Sequence, residues 1–260
     1  MRETFAYDCY RKWKDGRPVG WRRQEVQFYR SVLGPLAPRT LIFDVGANRG
    51  QRTRVFRKLG ARVVAIEPDE SNRALLARRF GPGGPGFPVV IVGKAVSDAE
   101  GSATLWVHEP GSGLNSLSPK WVETLATDQV RFGRRLEFGE RQDVATTTLQ
   151  ALIREFGNPH YIKVDVEGHE AAVLRGLKQA VPVVSFEVNL PEFLGEGLEC
   201  VAILARLSAQ GQFNWTSDCR GPPALAQWLA ADEFAPNLRG CRAASIEIFW
   251  RADPAGGRGP

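Results

Sequence analysis

Residues 41–56, LIFDVGANRGQRTRVF, constrain the fold more than any other stretch of this chain. An apolar run closes on an acid, Asp44, passes two glycines, Gly46 and Gly50, and reopens as an amphipathic segment. Strand, tight turn and helix in that order are how α/β proteins offer backbone amides to a ligand. Four more short apolar runs follow, RVVAIE, VVIV, YIKVDV and VVSFEVN. They alternate with RTRVFRKL, SNRALLARRF, LQALIREF and AAVLRGL, whose apolar residues recur at three and four. That alternation predicts a mostly parallel sheet, doubly wound, with helices on both faces.

A chain of 260 residues, 43% of them hydrophobic, can build one large core, so a single domain over 1–260 is expected. Residues 1–39 read as a helical cover ending near Leu33, with Tyr7, Tyr10, Trp13, Trp21, Phe28 and Tyr29 as packing aromatics. The core is expected over 40–250, interrupted at about 101–148 by an insertion over the carboxyl edge of the sheet. GPGGPGFP, 81–88, reads as a loose surface connection, and 251–260 as a disordered tail. No apolar run approaches the roughly 20 residues of a bilayer span, and the amino terminus lacks the apolar region of a signal peptide. The expectation is a soluble cytoplasmic protein with no membrane span, with homo-oligomers compatible with its composition.

Cys9, Cys200, Cys219 and Cys241 are scattered with no C-x-x-C pair, which predicts buried free thiols rather than a zinc knuckle or a disulfide framework. The net charge is +5, and 27 of the 34 basic residues are arginine. They are dispersed along the chain, without the clustered basic and aromatic pattern of a nucleic-acid platform, so no nucleic-acid partner is expected.

The ligand of the first turn follows from its chemistry. A dinucleotide site needs G-x-G-x-x-G for close approach of pyrophosphate, and Gly46, Ala47, Asn48, Arg49 and Gly50 lack it. A carboxylate at Asp44 would repel pyrophosphate but suits a ligand bearing an ammonium and a sulfonium, as S-adenosylmethionine does. Glu67 ends the second strand, 21 positions past Gly46, where an acid bonds ribose hydroxyls. Ser97 and Asp98 fall where an adenine edge would lie, with helix capping an equal reading for Asp98. The expected cofactor site is Asp44, Gly46, Asn48, Gly50, Glu67, Ser97, Asp98 and Asp165.

In YIKVDVEGHEAAVLRGL, alternation puts Lys163, Asp165 and Glu167 on one side of a strand buried on both faces, where polar groups need partners or a task. Lys163 neutralising Asp165, and Glu167 capping the following helix, would be a purely structural explanation. FDVGANRGQ, AIEPDESNRALL, AVSDAEGSATLWV, TTTLQALI, IKVDVEGHEAAVLRGL and SFEVN resemble, in that order, the motifs of FkbM-type S-adenosylmethionine-dependent methyltransferases over roughly residues 32–189.

The resemblance implies a class I methyltransferase core, Rossmann-like and seven-stranded, with an antiparallel last strand at ASIEIFW. It also implies O-methylation of a hydroxyl on a small molecule, sugar or glycan. Gln150 departs from it, since the family commonly has aspartate after the leucine of TTTL. Transfer to a hydroxyl requires a base. The catalytic candidates are His169, whose ordinary pKa is nearest neutrality, Asp165, and Lys163 as partner of Asp165. His108, in the insertion, is a weaker candidate, and His160 is read as facing solvent. Glu167, Glu187, Asn115 and Ser116 are assigned to the acceptor. The spacing carries no dedicated metal motif, so no metal is assigned; a divalent ion would find oxygen-rich ligands in Asp165, Glu167 and Glu187 together with His169. RNA ribose methylation and a non-catalytic binding role are the alternatives.

Overall fold

A computed structural model describes residues 19–81, 89–129 and 131–253. Its main sheet has seven strands: β1 (Leu41–Val45), β2 (Arg62–Ile66), β3 (Val90–Val92), β7 (Tyr161–Val164), β8 (Val183–Asn189), β9 (Gln212–Thr216) and β10 (Ser245–Arg251). Their order is β3-β2-β1-β7-β8-β10-β9. All are parallel except β10, which runs antiparallel to β8 and β9. The expected seven-stranded, doubly wound sheet with an antiparallel last strand is therefore present.

Residues alternate between two cores. Phe43, Val45, Val64, Ile66, Ile162 and Val164 face one side of the sheet, and Ile42, Val63, Ala65 and Tyr161 the other. Burial on both faces is why these strands read as continuous apolar runs, each large side chain contributing about 1.5–3 kcal/mol. Helices α1 (Val19–Leu33), α2 (Gln51–Lys58) and α3 (Glu70–Phe80) pack on the second side. The first side holds α4 (Pro119–Thr127), α5 (Leu149–Phe156), α6 (Glu170–Arg175), α7 (Leu194–Leu207) and α8 (Ala231–Gly240). Phe28 and Tyr29 of α1 meet Phe249 and Phe56 edge-on at 5.5 and 5.1 Å, which is the packing role expected of them. Tyr7, Tyr10, Trp13, Cys9 and residues 82–88 lie outside the described residues. Cys200 and Cys219 are buried free thiols and Cys241 is half-buried.

The insertion is a small folded unit. β5 (Gly101–Val107) pairs antiparallel with β6 (Glu140–Thr147), and β4 (Ala95–Val96) joins β6 on its other side. Within its charged segment Arg131 is buried, 7% exposed. Its guanidinium donates to Asn189 Oδ1, the carbonyls of Leu190 and Ala244, and Glu192, which ties the insertion to the end of β8. The expected tail begins too early at 251: Arg251 ends β10, and the Ala252 N–H donates to the Pro182 carbonyl at 3.0 Å. Among the described residues no helix is long and apolar enough to cross a membrane.

Candidate functional site

Strand order reverses at β1, which has β2 on one side and β7 on the other, so the connections leave in opposite directions and a crevice opens at their carboxyl ends. A cleft of about 540 Å³, part of it open to solvent, lies there. Val45, Gly46 and Asn48 form its floor; Glu67 and Asn72 stand on one wall, Asp165, Glu167 and His169 on the other. Lys94 to Val96 and the insertion residues Ser112, Asn115 and Ser116 close over it.

Two glycines of the turn have definite steric causes. A Cβ on Gly46, at φ +77°, would stand 1.8 Å from the Asp165 carbonyl oxygen, so β1 and β7 converge here only because it is absent. A Cβ on Gly50 would stand 2.3 Å from Phe80, where α2 starts against α3. The amides do not behave as expected. The Gly46 and Ala47 N–H groups both donate to the Ile66 carbonyl, Gly50 N–H to that of Ala47, and Arg49 N–H to Asn48 Oδ1. Asn48, at φ 48°, donates its N–H to Glu67 Oε2 at 2.7 Å. Every amide from 46 to 50 is thus committed within the protein, and the turn offers no cradle for a pyrophosphate.

Beside the turn two acids share one lysine. In register Asp44 stands opposite Lys163, but Lys163 Nζ donates to Asp165 Oδ2 at 2.6 Å. Proximity decides the outcome. Burial would raise Asp165, yet the adjacent ammonium outweighs it and holds the carboxyl below its ordinary range. Burial pulls the Lys163 ammonium down, but Asp165 foremost lifts it well above its ordinary value. For Asp44, 1% exposed, burial wins over the more distant lysine and the Thr53 hydroxyl, and its pKa is raised. Thr53 Oγ1 donates to Asp44 Oδ2 at 2.5 Å, while Asp44 Oδ1 is buried without a partner. It lacks a donor. Asp44 lies just behind the cleft lining rather than in it.

Glu67 accepts twice, from Asn48 N–H and from Asp69 N–H at 2.9 Å, and burial pushes it up to about 7. Asp165, Glu167 and Glu187 bring carboxylate oxygens within 4.8 Å of one another. Burial, then the neighbouring acids, raises Glu167 and Glu187 well above the usual range. Glu167 does not cap the helix after β7, whose start carries no side-chain cap; Glu170 Oε1 accepts the Val166 and Gly168 N–H groups of the preceding turn, and burial pushes it to about 7.

His169 lines the cleft, and burial lowers its pKa. Its Nε2 is 3.0 Å from Ser97 Oγ, which lies 3.4 Å from Asp98 Oδ1. In the arrangement that gives each hydrogen an acceptor, Nε2–H donates to Ser97, Ser97 to Asp98, and Nδ1 is left bare. Ser97 and Asp98 therefore do not face the nucleoside space as expected. Neither lines the cleft, and Asp98 is held by Arg175 at 3.3 Å. Lys163, Glu187, Gly50 and Asp44 also stand outside the lining.

Asn115 and Ser116, assigned to the acceptor, both line the cleft, and their polar groups are already engaged within the protein. Asn115 accepts the His108 N–H and donates to Asp69 Oδ2 and the Glu109 carbonyl. Ser116 Oγ is within reach of the Val166 and Glu167 carbonyls and accepts the Ser118 N–H. Both fasten the insertion down. Gln150 contacts Gln179 and the Lys178 N–H on the surface, away from the cleft. His108 Nδ1 meets the Glu137 carbonyl, and His160 Nε2 lies 3.2 Å from the Leu33 carbonyl at the end of α1 rather than in solvent.

Sequence reasoning missed Asp69, whose carboxylate caps α3 through Asn72 N–H and also holds Gly111 and Asn115 of the insertion. It missed Asn72 as well. The motif D-x-x-N signals a helix start, but nothing in the sequence pairs it with residues 42 and 46 positions later. Several arginines are used internally: Arg52 with Glu25 at 2.9 Å, Arg141 over Trp106, Arg251 over Trp228.

The residues present fit S-adenosylmethionine better than a dinucleotide. The orphaned oxygen of Asp44 asks for a donor, such as an ammonium supplies, and the committed turn amides leave no anion seat. Glu67 stands where ribose hydroxyls are held in this topology. No curated protein matches the chain. Among solved structures, a TehB-like S-adenosylmethionine-dependent methyltransferase from Corynebacterium glutamicum is similar at 10% identity, over 95% of this chain and 98% of that one, with a TM-score of 0.44. The carboxyl-terminal domain of precorrin-6Y C5,15-methyltransferase from Rhodobacter capsulatus is similar at 12% identity, over 87% and 86%, with a TM-score of 0.44. A putative RNA methyltransferase from Pyrococcus horikoshii follows at 11% identity, over 91% and 85%, with a TM-score of 0.41. Residues 44–213 match the methyltransferase FkbM domain, spanning both DVGANRG and KVDVEGHE. The chain belongs to the FkbM methyltransferase family, with S-adenosylmethionine as its cofactor.

Proposed function

We propose that the protein methylates a hydroxyl of a sugar, glycan or secondary metabolite, with His169 as the general base. The observation that carries this reading is the His169, Ser97, Asp98 chain: a histidine on the cleft wall, kept neutral by burial, with one nitrogen tied back and the other bare. When bound, S-adenosylmethionine supplies an electrophilic methyl on a positively charged sulfur. Asp44, Gly46 and Glu67 would hold it, with Asp165 at the same strand end.

The chain's own work is then positional and protolytic. Glu167, on the cleft wall, would meet the acceptor hydroxyl, with Glu187 behind it within the same carboxylate cluster, and Lys163 pairs with Asp165 beside them. The hydroxyl proton passes to His169 Nδ1, and Ser97 and Asp98 support the resulting imidazolium. The insertion, pinned by Asp69, covers part of the cleft. The internal use of arginines speaks for a compact acceptor over an RNA duplex.

His169→Ala tests this directly. Turnover on a responding hydroxylated acceptor is expected to fall roughly 10²–10⁴-fold while affinity for S-adenosylhomocysteine stays unchanged in calorimetry. In the wild type, the acidic limb of the rate profile falls below pH 6.5, because the neutral form must be present and burial lowers the histidine. A full-rate His169→Ala removes His169 as the base.

A further inference from the structure

Asn72 occupies the third position of α3, the helix that Asp69 caps by accepting the Asn72 N–H at 2.8 Å. In a reciprocal cap the side chain at this position reaches back to the cap residue's own N–H. Here that N–H donates to Glu67 Oε1 instead, at 2.9 Å. Asn72 Oδ1 is left buried with no partner, in a side chain 1% exposed that lines the cleft beside Glu67. The insertion passes over it at Gly111, where even a Cβ would stand 3.4 Å from Oδ1, so no side chain comes from above to satisfy the oxygen. An unmet acceptor is expensive in a dry interior and tolerable in a site that a ligand fills.

We propose that Asn72 Oδ1 accepts a hydrogen bond from a ribose hydroxyl of the cofactor, as the partner of Glu67 in holding the diol. The inference rests on the cofactor reading above. A vicinal diol presents two O–H donors on adjacent carbons. Glu67 and Asn72 are two acceptors anchored to the same aspartate, one through its N–H and the other through its carboxylate. Asp69 also holds Gly111 and Asn115, so the element that places the diol acceptors places the acceptor-side cover as well.

The test is calorimetry with S-adenosylhomocysteine and its 2′-deoxy and 3′-deoxy analogues on the wild type, Asn72→Ala and Asn72→Asp. Asn72→Ala is expected to bind S-adenosylhomocysteine about tenfold more weakly. It should also no longer distinguish it from one of the two deoxy analogues, which the wild type separates about tenfold. Asn72→Asp, isosteric and still an acceptor, keeps that separation. Unchanged affinity in Asn72→Ala, or equal weakening of all three ligands, overturns this inference alone. Absence of S-adenosylhomocysteine binding to the wild type overturns the cofactor reading with it.

Discussion

The floor of the cleft and its cover are built by different means. The turn at 46–50 is shaped mainly by backbone: positive φ at Gly46, Asn48 and Gly50, a missing Cβ where two strands converge, and every amide paired within the protein, with Glu67 and Asn48 the side chains that take part. The cover over residues 108–117 is held by side chains from distant positions, Asp69 to Gly111 and Asn115, Arg49 to the Gly111 carbonyl, Ser116 to the end of β7. Backbone shape admits few residues and leaves a mark in the sequence. Long-range hydrogen bonds admit many and leave almost none.

Substitutions should separate the two regions. Gly46→Ala must push its Cβ into the Asp165 carbonyl at a left-handed φ, so a loss of about 3–5 kcal/mol is expected in denaturant unfolding. Gly139→Ala, in the insertion with nothing within 4 Å, should stay within about 0.5 kcal/mol of wild type. Comparable losses at both would erase the contrast.

Asp69→Ala removes a helix cap and two anchors of the cover, a loss of about 3 kcal/mol. Its signature is faster amide exchange over 109–116 than over 41–50. Uniform exchange would mean that the cover does not depend on Asp69.

A further expected effect is in pH. Glu67 has a folded pKa raised to about 7, above its unfolded value near 4.5, so its favourable contribution is present below about pH 4.5 and lost as pH rises through 7. Relative to wild type, Glu67→Gln should gain stability from pH 5 to 8 in thermal melts. A constant difference across that range contradicts a buried, perturbed carboxyl.

The same contrast explains what the sequence could tell. Strand runs, the turn acids and the Lys163–Asp165 pair were legible because burial on both faces and local spacing force particular residues there. That Glu170 rather than Glu167 ties the turn after β7 was not legible, since either carboxylate is near enough in sequence to take the Val166 and Gly168 amides. Ser97 facing His169 and Asn72 facing the cleft depend on how α6 and α3 are rotated against the sheet. The burial of Arg131 depends on where β8 ends, 58 residues further on.

The central claim is that the Asp44 turn, with its amides closed and one carboxylate oxygen unmet, receives the cofactor's cationic end. Calorimetric titration of wild type and Asp44→Ala with S-adenosylhomocysteine, with NAD in parallel, tests it most directly. The expected result is binding of S-adenosylhomocysteine and not NAD by the wild type, weakened about 10- to 100-fold in Asp44→Ala, the range for a hydrogen bond to a charged group. NAD binding, or equal S-adenosylhomocysteine affinity in the two proteins, would contradict it.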